Sequence, residues 1–130
     1  MNLFPVKTLG LALAVLVTGC SSMQSSDSSE GWSGYTETGK ATYYADKYQG
    51  KKTASGEPYK RELKTAAHKE LPFGTNVKVT NLSNGKSVVV RVNDRGPFTK
   101  GRILDLSKSA FSSIGNINAG VLDVEMEVVD

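Results

Sequence analysis

The amino-acid sequence predicts a mainly β protein, in which about six short strands close into a small barrel with one short helix. The first observation is a hydrophobic period of two in residues 77–80 and again in residues 123–128, which is typical of half-buried strands. The second is the repeated glycine and proline between such segments, which interrupt any long helix. The third is length, because about six strands in about 90 residues favour a closed barrel over a sandwich.

The predicted elements follow one another without internal repeats. The segments with the composition of strands are residues 40–45, 64–67, 77–80, 86–92, 102–106 and 123–128. Asn84 and Gly85 lie between the third and fourth segments, and this pair suits a hairpin turn with positive φ. One helix is predicted over residues 107–114, where Ser107 can cap the first turn and Gly115 supplies the stop.

Residues 1–19 have the features of a secretory signal peptide. Lys7 precedes an uncharged apolar run of about ten residues, and a membrane-spanning helix needs about 20. Small residues then lead to Cys20, and this order resembles the bacterial lipobox, in which the thiol receives a diacylglyceryl group. We therefore expect lipidation at Cys20, although a buried cysteine behind an ordinary signal peptide is the alternative. Because Ser21 follows the cysteine, the resemblance implies an outer-membrane anchor that faces the periplasm.

Residues 20–38 are rich in serine and lack apolar periodicity, so they are predicted to be a disordered tether. Trp32 is either a linker aromatic or a docking residue.

The domain at residues 39–130 holds 15 basic and 10 acidic residues, and this charge favours an anionic polymer. No basic run is interleaved with aromatic residues, so nucleic acid is not the expected partner. One cysteine and one histidine exclude an internal disulfide and a Cys/His zinc site.

Four segments combine glycine, proline and ionisable residues in ways that strand propensity does not require. They are GKKTASGE at residues 50–57, TAAHK at 65–69, VNDRGPF at 92–98 and GRILDLS at 101–107. In order and spacing they resemble the rare lipoprotein A family over nearly all of residues 39–130. The resemblance implies a six-stranded double-psi β-barrel, related to barwin and the expansins. Many members carry a further peptidoglycan-binding repeat domain after the barrel, and septal targeting through such a domain is not implied here.

The resemblance also implies an activity, the lytic transglycosylation of peptidoglycan glycan strands, especially strands without stem peptides. Such an enzyme cleaves the β-1,4 bond from N-acetylmuramic acid to N-acetylglucosamine and forms a 1,6-anhydro end. One carboxyl can perform both proton transfers, provided that its pKa is raised enough to keep a proton near neutral pH. No cofactor or metal is expected, and the protein is expected to act as a monomer. The alternatives are an expansin-like module that binds peptidoglycan without cleaving it, and an envelope adaptor that binds a protein.

Four residues are the catalytic candidates. By resemblance Glu57, His68 and Asp94 map onto polar groove residues, and Asp105 matches the strand position of the catalytic aspartate in related barrels. Each candidate has a structural alternative. Asp94 can cap a turn or pair with Arg95, and Asp105 can cap the following helix. Glu57 can be an exposed turn residue, and His68 can be a hydrogen-bonded structural histidine.

Four further residues are candidates for substrate binding. Flat aromatic rings suit the apolar faces of sugar rings, and Tyr44 and Phe98 flank the motif segments. Arg95 and Lys52 can contact carboxylates or acetamido oxygens of the glycan, although Lys52 can equally be a solvated surface charge.

Overall fold

The computed structural model describes residues 30–130, and the predicted signal peptide, Cys20 and most of the predicted tether lie outside this range. The strands are β1 (Thr36–Tyr43), β2 (Thr65–Ala67), β3 (Asn76–Asn81), β4 (Ser87–Asp94), β5 (Arg102–Leu106) and β6 (Leu122–Val128), and the helix is α1 (Lys108–Ile114). They form a closed barrel, so the predicted barrel with one short helix is confirmed. No helix within residues 30–130 has the length and apolar character needed to cross a membrane.

The strand order around the barrel is β1, β5, β2, β4, β3 and β6, which closes on β1. β1 pairs with β5 and β2 pairs with β4 in parallel, whereas the other neighbouring pairs are antiparallel. Thr42 is opposite Asp105, and Ala67 is opposite Asp105 on one side and Asp94 on the other. The pairing therefore places Thr42, Asp105, Ala67 and Asp94 in one row across four adjacent strands.

The barrel interior follows the predicted alternation. In β6 the side chains of Val124, Met126 and Val128 are buried, whereas the residues between them are exposed. Helix α1 adds Phe111 and Ile114 to the same core. At about 25 cal/mol per Å² of apolar surface, burial of these side chains is the main stabilising contribution to the barrel.

Helix α1 is capped by Ser107 and ends at Gly115, as predicted, but the backbone conformation of Gly115 is not the one expected for a glycine stop. Ser107 Oγ accepts a hydrogen bond from the backbone N–H of Ala110 at 3.3 Å, which caps the helix. Gly115 ends the helix with a φ of −163°, an extended conformation open to any residue. A Cβ atom there would lie 2.8 Å from Leu122 Cδ1, so glycine serves close packing rather than a left-handed turn, and a larger residue would require the Leu122 side chain to move.

The first strand differs from the prediction. β1 begins at Thr36, before the predicted strand start at residue 40 and the predicted barrel start at Gly39. The first half of β1 pairs with β6 through polar, largely exposed residues, so it carries no hydrophobic pattern. Trp32 also lies in the predicted tether, yet it packs against the core and meets Tyr35 edge-to-face at 5.1 Å. Trp32 therefore belongs to the edge of the barrel core and is not a free linker aromatic.

The close approach of β1 to β5 gives a test of the packing. A Cβ at Gly39 would lie 2.7 Å from Ile103 Cγ2 and 3.2 Å from the carbonyl oxygen of Gly101. We expect Gly39→Ala to lower the free energy of unfolding by about 1–3 kcal/mol, measured by urea denaturation. Gly31→Ala is the matched control, because nothing lies within 4 Å of its added Cβ. Equal stability of the two variants would contradict the described packing.

Candidate active site

A cleft of about 570 Å³ lies between the β1–β2 connection, which spans residues 44–64, and the ends of β1, β4 and β5. This volume is within the range of about 300–1,000 Å³ that is typical of small-molecule sites. The cleft joins acidic, aromatic and basic side chains. Its lining includes Asp94, Asp105, Tyr44, Tyr48, Tyr59, Lys47, Lys51, Lys52 and Arg102.

The barrel register explains why two aspartates meet at this cleft. Asp94 on β4 and Asp105 on β5 are both opposite Ala67 on β2. Adjacent strands are about 4.8 Å apart, so the two aspartate backbones are separated by about 10 Å. Directly opposed residues point to the same face of a sheet, so the register brings both carboxylates to the same cleft.

Asp94 is held by three hydrogen bonds. Its Oδ1 accepts from the backbone N–H of Ala54 at 2.8 Å and from that of Arg95 at 2.9 Å. Its Oδ2 accepts from the hydroxyl of Tyr44 at 2.6 Å. The carboxylate is therefore fixed in orientation and ties the β1–β2 connection to the end of β4.

Tyr44 is fixed by the two tyrosines beside it. Its ring stacks on that of buried Tyr59, with centroids 4.4 Å apart, and meets Tyr48 edge-to-face at 6.1 Å. Burial, and then the hydrogen bond to Asp94, raise the pKa of Tyr44 far above its usual value, so its hydroxyl remains a donor. One face of Tyr44 is thus covered, although sugar stacking was predicted for it. Tyr48, which is 42% exposed, offers the more accessible ring.

Asp105 is held through one oxygen only. Its Oδ1 accepts from Thr42 Oγ1 at 2.8 Å and from Arg102 Nη2 at 2.5 Å. Within residues 30–130, Asp105 Oδ2 has no hydrogen-bond donor, and the side chain is 24% exposed. Sequence reasoning missed Thr42 and Arg102. Successive side chains of a strand point to opposite faces, so Asp105 points away from the face of its buried neighbour Leu104. The same alternation places the side chain of Thr42 on the same face of the chain as that of Tyr44.

Glu57 is positioned beside the end of β4, outside the lining of the cleft. Its Oε1 accepts from Asn93 Nδ2 at 3.0 Å, and both carboxylate oxygens accept from Arg91 Nη1, at 3.0 and 3.1 Å. These bonds, from Asn93 first and Arg91 second, lower the pKa of Glu57. Glu57 therefore supports Asn93, the neighbour of Asp94, rather than facing the cleft itself.

His68 is buried and does not line the cleft, although a site role was predicted for it. Its Nδ1 accepts from the backbone N–H groups of Glu70 and Leu71, at 3.0 and 3.1 Å. The ring proton is therefore assigned to Nε2, which donates to Glu37 Oε1 at 3.0 Å. Both ring nitrogens are satisfied within the protein. This arrangement matches the structural alternative for His68.

The four predicted substrate contacts are not all brought together. Tyr44 and Lys52 line the cleft, but the guanidinium of Arg95 lies 4.2 Å from the ring centroid of Phe73 and donates to the carbonyl oxygen of His68 at 3.2 Å. Phe98 is 78% exposed. A Cβ at Gly96 would be 3.7 Å from the Phe98 ring and 4.0 Å from Asp105 Oδ2, so this ring lies near the aspartate.

No group of three or more His, Cys, Asp or Glu side chains within residues 30–130 is arranged to hold a metal ion.

Comparisons with protein families and with individual curated proteins agree with each other. A family model described as lytic transglycolase matches residues 36–126. The chain is 55% identical over 96 residues to the endolytic peptidoglycan transglycosylase RlpA of Vibrio cholerae, covering 74% of this chain and 36% of that protein. It is 54% identical over 97 residues to RlpA of Pasteurella multocida, covering 75% and 33%. The chain thus spans about a third of the length of the curated relatives it matches.

Two solved structures share the fold. A papain inhibitor from Streptomyces superposes with a TM-score of 0.60 at 28% identity, covering 73% of this chain and 94% of the inhibitor. An expansin variant from Clavibacter michiganensis in complex with cellohexaose gives a TM-score of 0.60 at 25% identity, covering 73% and 50%. Both neighbours are double-psi β-barrels, so the predicted double-psi β-barrel is confirmed.

The lowered pKa of Glu57 predicts a pH-dependent contribution to stability. Because the native state favours the carboxylate, this contribution is complete above the usual pKa of about 4.3 and is lost as the pH falls through the lower native pKa. We expect Glu57→Gln to be less stable than wild type near neutral pH, and the difference in stability to shrink as the pH falls below the usual pKa of a glutamate. Urea denaturation at several pH values measures this.

The control for Glu57 is Glu125→Gln, which changes an exposed side chain on β6. We expect a smaller stability difference for this variant. A gap between wild type and Glu57→Gln that stays constant over the pH range would contradict the lowered pKa.

Proposed function

Since the chain belongs to the lytic transglycolase family, we propose that it cleaves peptidoglycan glycan strands as an endolytic transglycosylase. The bond broken is the β-1,4 bond from N-acetylmuramic acid to N-acetylglucosamine, and the product carries a 1,6-anhydro end. The observation that carries the proposal is the pair of aspartates at one cleft, in which Asp105 Oδ2 has no donor within residues 30–130.

Asp105 is the proposed acid and base. Thr42 and Arg102 both bond to Oδ1, which fixes the carboxyl and leaves Oδ2 for the substrate. A proton on Oδ2 leaves both of these bonds in place. Its transfer to the glycosidic oxygen accompanies cleavage of the bond to C1 of muramic acid. The Asp105 carboxylate then removes the proton of the C6 hydroxyl as that oxygen bonds to C1, so the proton returns to Asp105 and no water is consumed.

Asp94 is proposed to stabilise the positive charge that develops at C1 in the transition state. Its three hydrogen bonds fix the carboxylate before the reaction, so little reorganisation is needed when the charge appears. Tyr44 donates one of these bonds and is a positioning residue for Asp94. Exposed Tyr48 and Phe98 supply rings for stacking against the sugars on either side of the cleaved bond.

Replacement of each aspartate separates these roles. We expect Asp105→Asn to lower the formation of 1,6-anhydro ends by at least about a hundredfold, because the only proposed proton donor is lost. We expect Asp94→Asn to lower turnover by about tenfold to a hundredfold, because electrostatic stabilisation is weakened but proton transfer remains. Mass spectrometry of stem-free glycan strands measures the products, and co-sedimentation with insoluble glycan measures binding.

The matched control is Asp123→Asn, since Asp123 pairs with exposed Lys40 at 2.7 Å and does not line the cleft. It is expected to retain wild-type activity. If wild type sediments with glycan but forms no anhydro ends, the chain is a binding module instead. Activity that survives in both Asp94→Asn and Asp105→Asn would overturn the assignment of these residues.

We further propose that the protein is a lipoprotein anchored through Cys20 at the periplasmic face of the outer membrane, and that it acts as a monomer. The support is the order of a charged start, an apolar run and small residues before Cys20, followed by Ser21. A lipid anchor with several acyl chains would hold the barrel near the cell wall.

The anchor is tested by labelling cells with radioactive palmitate. We expect wild type to incorporate label and to fractionate with the outer membrane, and Cys20→Ser to lose both properties. Ser21→Thr is the control, since it keeps the thiol and a small uncharged neighbour. Label that persists in Cys20→Ser, or wild type recovered in the inner membrane, would contradict the proposed attachment or destination.

A further inference from the structure

The pairing of β2 with β4 is irregular at the point where Asp94 is placed. Ala66 is opposite Val92, and the next residue, Ala67, is opposite Asp94, so the pairing skips Asn93. Such a β-bulge changes the direction of nearby side chains and is common beside active sites. In a regular pairing Ala67 would be opposite Asn93. The bulge therefore decides which residue of β4 takes the place opposite Ala67.

His68 follows directly after this bulge and is bonded to β4 through its backbone. Its N–H donates to the carbonyl oxygen of Asp94 at 3.1 Å. Its carbonyl oxygen accepts from Arg95 Nη1 at 3.2 Å. The main chain of His68 thus contacts two consecutive residues at the end of β4, and a shift of His68 would remove a backbone partner of Asp94.

The ring of His68 fixes the position of this backbone. Its Nδ1 accepts from the N–H groups of Glu70 and Leu71, which closes a bend over residues 68–71. Leu71 is fully buried, so the bend is attached to the core. Nδ1 can accept both bonds only while the ring proton is on Nε2. Because a buried N–H without an acceptor is costly, the ring also needs an acceptor at Nε2.

Glu37 supplies the acceptor at Nε2. Its Oε1 lies 3.0 Å from His68 Nε2, and its side chain is 29% exposed. Glu37 is in the first half of β1, opposite Met126 on β6, and does not line the cleft. A continuous series of hydrogen bonds therefore joins Glu37, His68 and the backbone of Asp94.

We propose that Glu37 is a positioning residue for Asp94 and acts through His68. The acceptor at Nε2 selects the ring tautomer, the tautomer closes the bend, and the bend holds the N–H that bonds to the Asp94 carbonyl oxygen. The expected effect on turnover rests on the proposed function, in which Asp94 stabilises the transition state. The tautomer and the hydrogen bonds can be measured without any reaction.

Three substitutions of Glu37 separate its hydrogen bond from its charge. Glu37→Gln keeps an acceptor oxygen at the same reach, Glu37→Asp keeps the charge but is one methylene shorter, and Glu37→Ala keeps neither. We expect the alanine and aspartate variants to lower kcat on glycan strands about fivefold to tenfold and to leave KM within about twofold, because a displaced Asp94 weakens transition-state stabilisation rather than binding. Glu37→Gln is expected to keep kcat within about twofold of wild type.

The same variants are tested by NMR on the full chain. Because His68 is the only histidine, its ring nitrogens give a single set of signals. We expect the Nε2–H tautomer in wild type and Glu37→Gln, and a mixture of tautomers in the other two variants. The N–H groups of His68, Glu70 and Leu71 are expected to exchange with solvent at least about tenfold faster in those two variants, whereas the N–H groups of β3 keep wild-type exchange and show that the barrel is folded.

Glu127→Ala is the matched control, since it removes an exposed carboxylate from β6 opposite Thr36. It is expected to match wild type in kcat, tautomer and exchange. Equal loss of kcat in Glu37→Gln and Glu37→Ala would assign the effect to charge and overturn the inference, as would an unchanged tautomer and unchanged exchange in Glu37→Ala. If wild type cleaves no glycan, the proposed function fails, and the exchange of the His68 N–H still decides whether Glu37 positions Asp94. Should Glu37→Ala not fold, the comparison of Glu37→Gln with Glu37→Asp decides.

Discussion

The parallel pairing of β1 with β5, and of β2 with β4, is the constraint on which the cleft depends. Together with the antiparallel pairing of β2 with β5, it aligns Thr42, Asp105, Ala67 and Asp94 across four strands. A slip of β5 by one residue would turn Asp105 into the core and a buried leucine toward the cleft. Burying an unpaired carboxylate is costly, as is exposing a large apolar side chain. The alternation that builds the core therefore also fixes the site.

The two aspartates use their oxygens differently, and this difference organises the surrounding loops. Asp94 accepts backbone N–H groups from Ala54 and Arg95, so it holds the β1–β2 connection against the end of β4. That connection in turn carries Tyr48, Lys47, Lys51 and Lys52, which line the cleft. Asp105 is bonded only by side chains, Thr42 and Arg102, through a single oxygen. One aspartate thus holds the connection in place, and the other keeps an oxygen without a hydrogen-bond donor within residues 30–130.

The sequence predicted best where local alternation coincides with burial. Residues 102–106 were predicted as the strand that is found, because hydrophobic residues face the core on both sides of Asp105. The first half of β1 was missed because its polar residues pair along an exposed edge with β6. Glycine and proline drew attention to the segments of both aspartates. Glycine and proline do not indicate where the side chains of neighbouring residues point. Arg95 was therefore expected at the cleft, although its guanidinium packs on the ring of Phe73. Thr42 was missed because its contact with Asp105 joins distant segments.

The hydrogen bonds of Asp94 also bear on which reaction the cleft can perform. An inverting hydrolase needs a second carboxylate that is free to activate water. Asp94 already uses three of its four acceptor positions, one of them in a 2.6 Å bond from Tyr44, whose hydroxyl remains protonated. It is therefore a poor base for water but a well-placed fixed charge. A nucleophile carried by the sugar itself needs no second base, so the hydrogen bonds of Asp94 are compatible with the proposed intramolecular attack by the C6 hydroxyl.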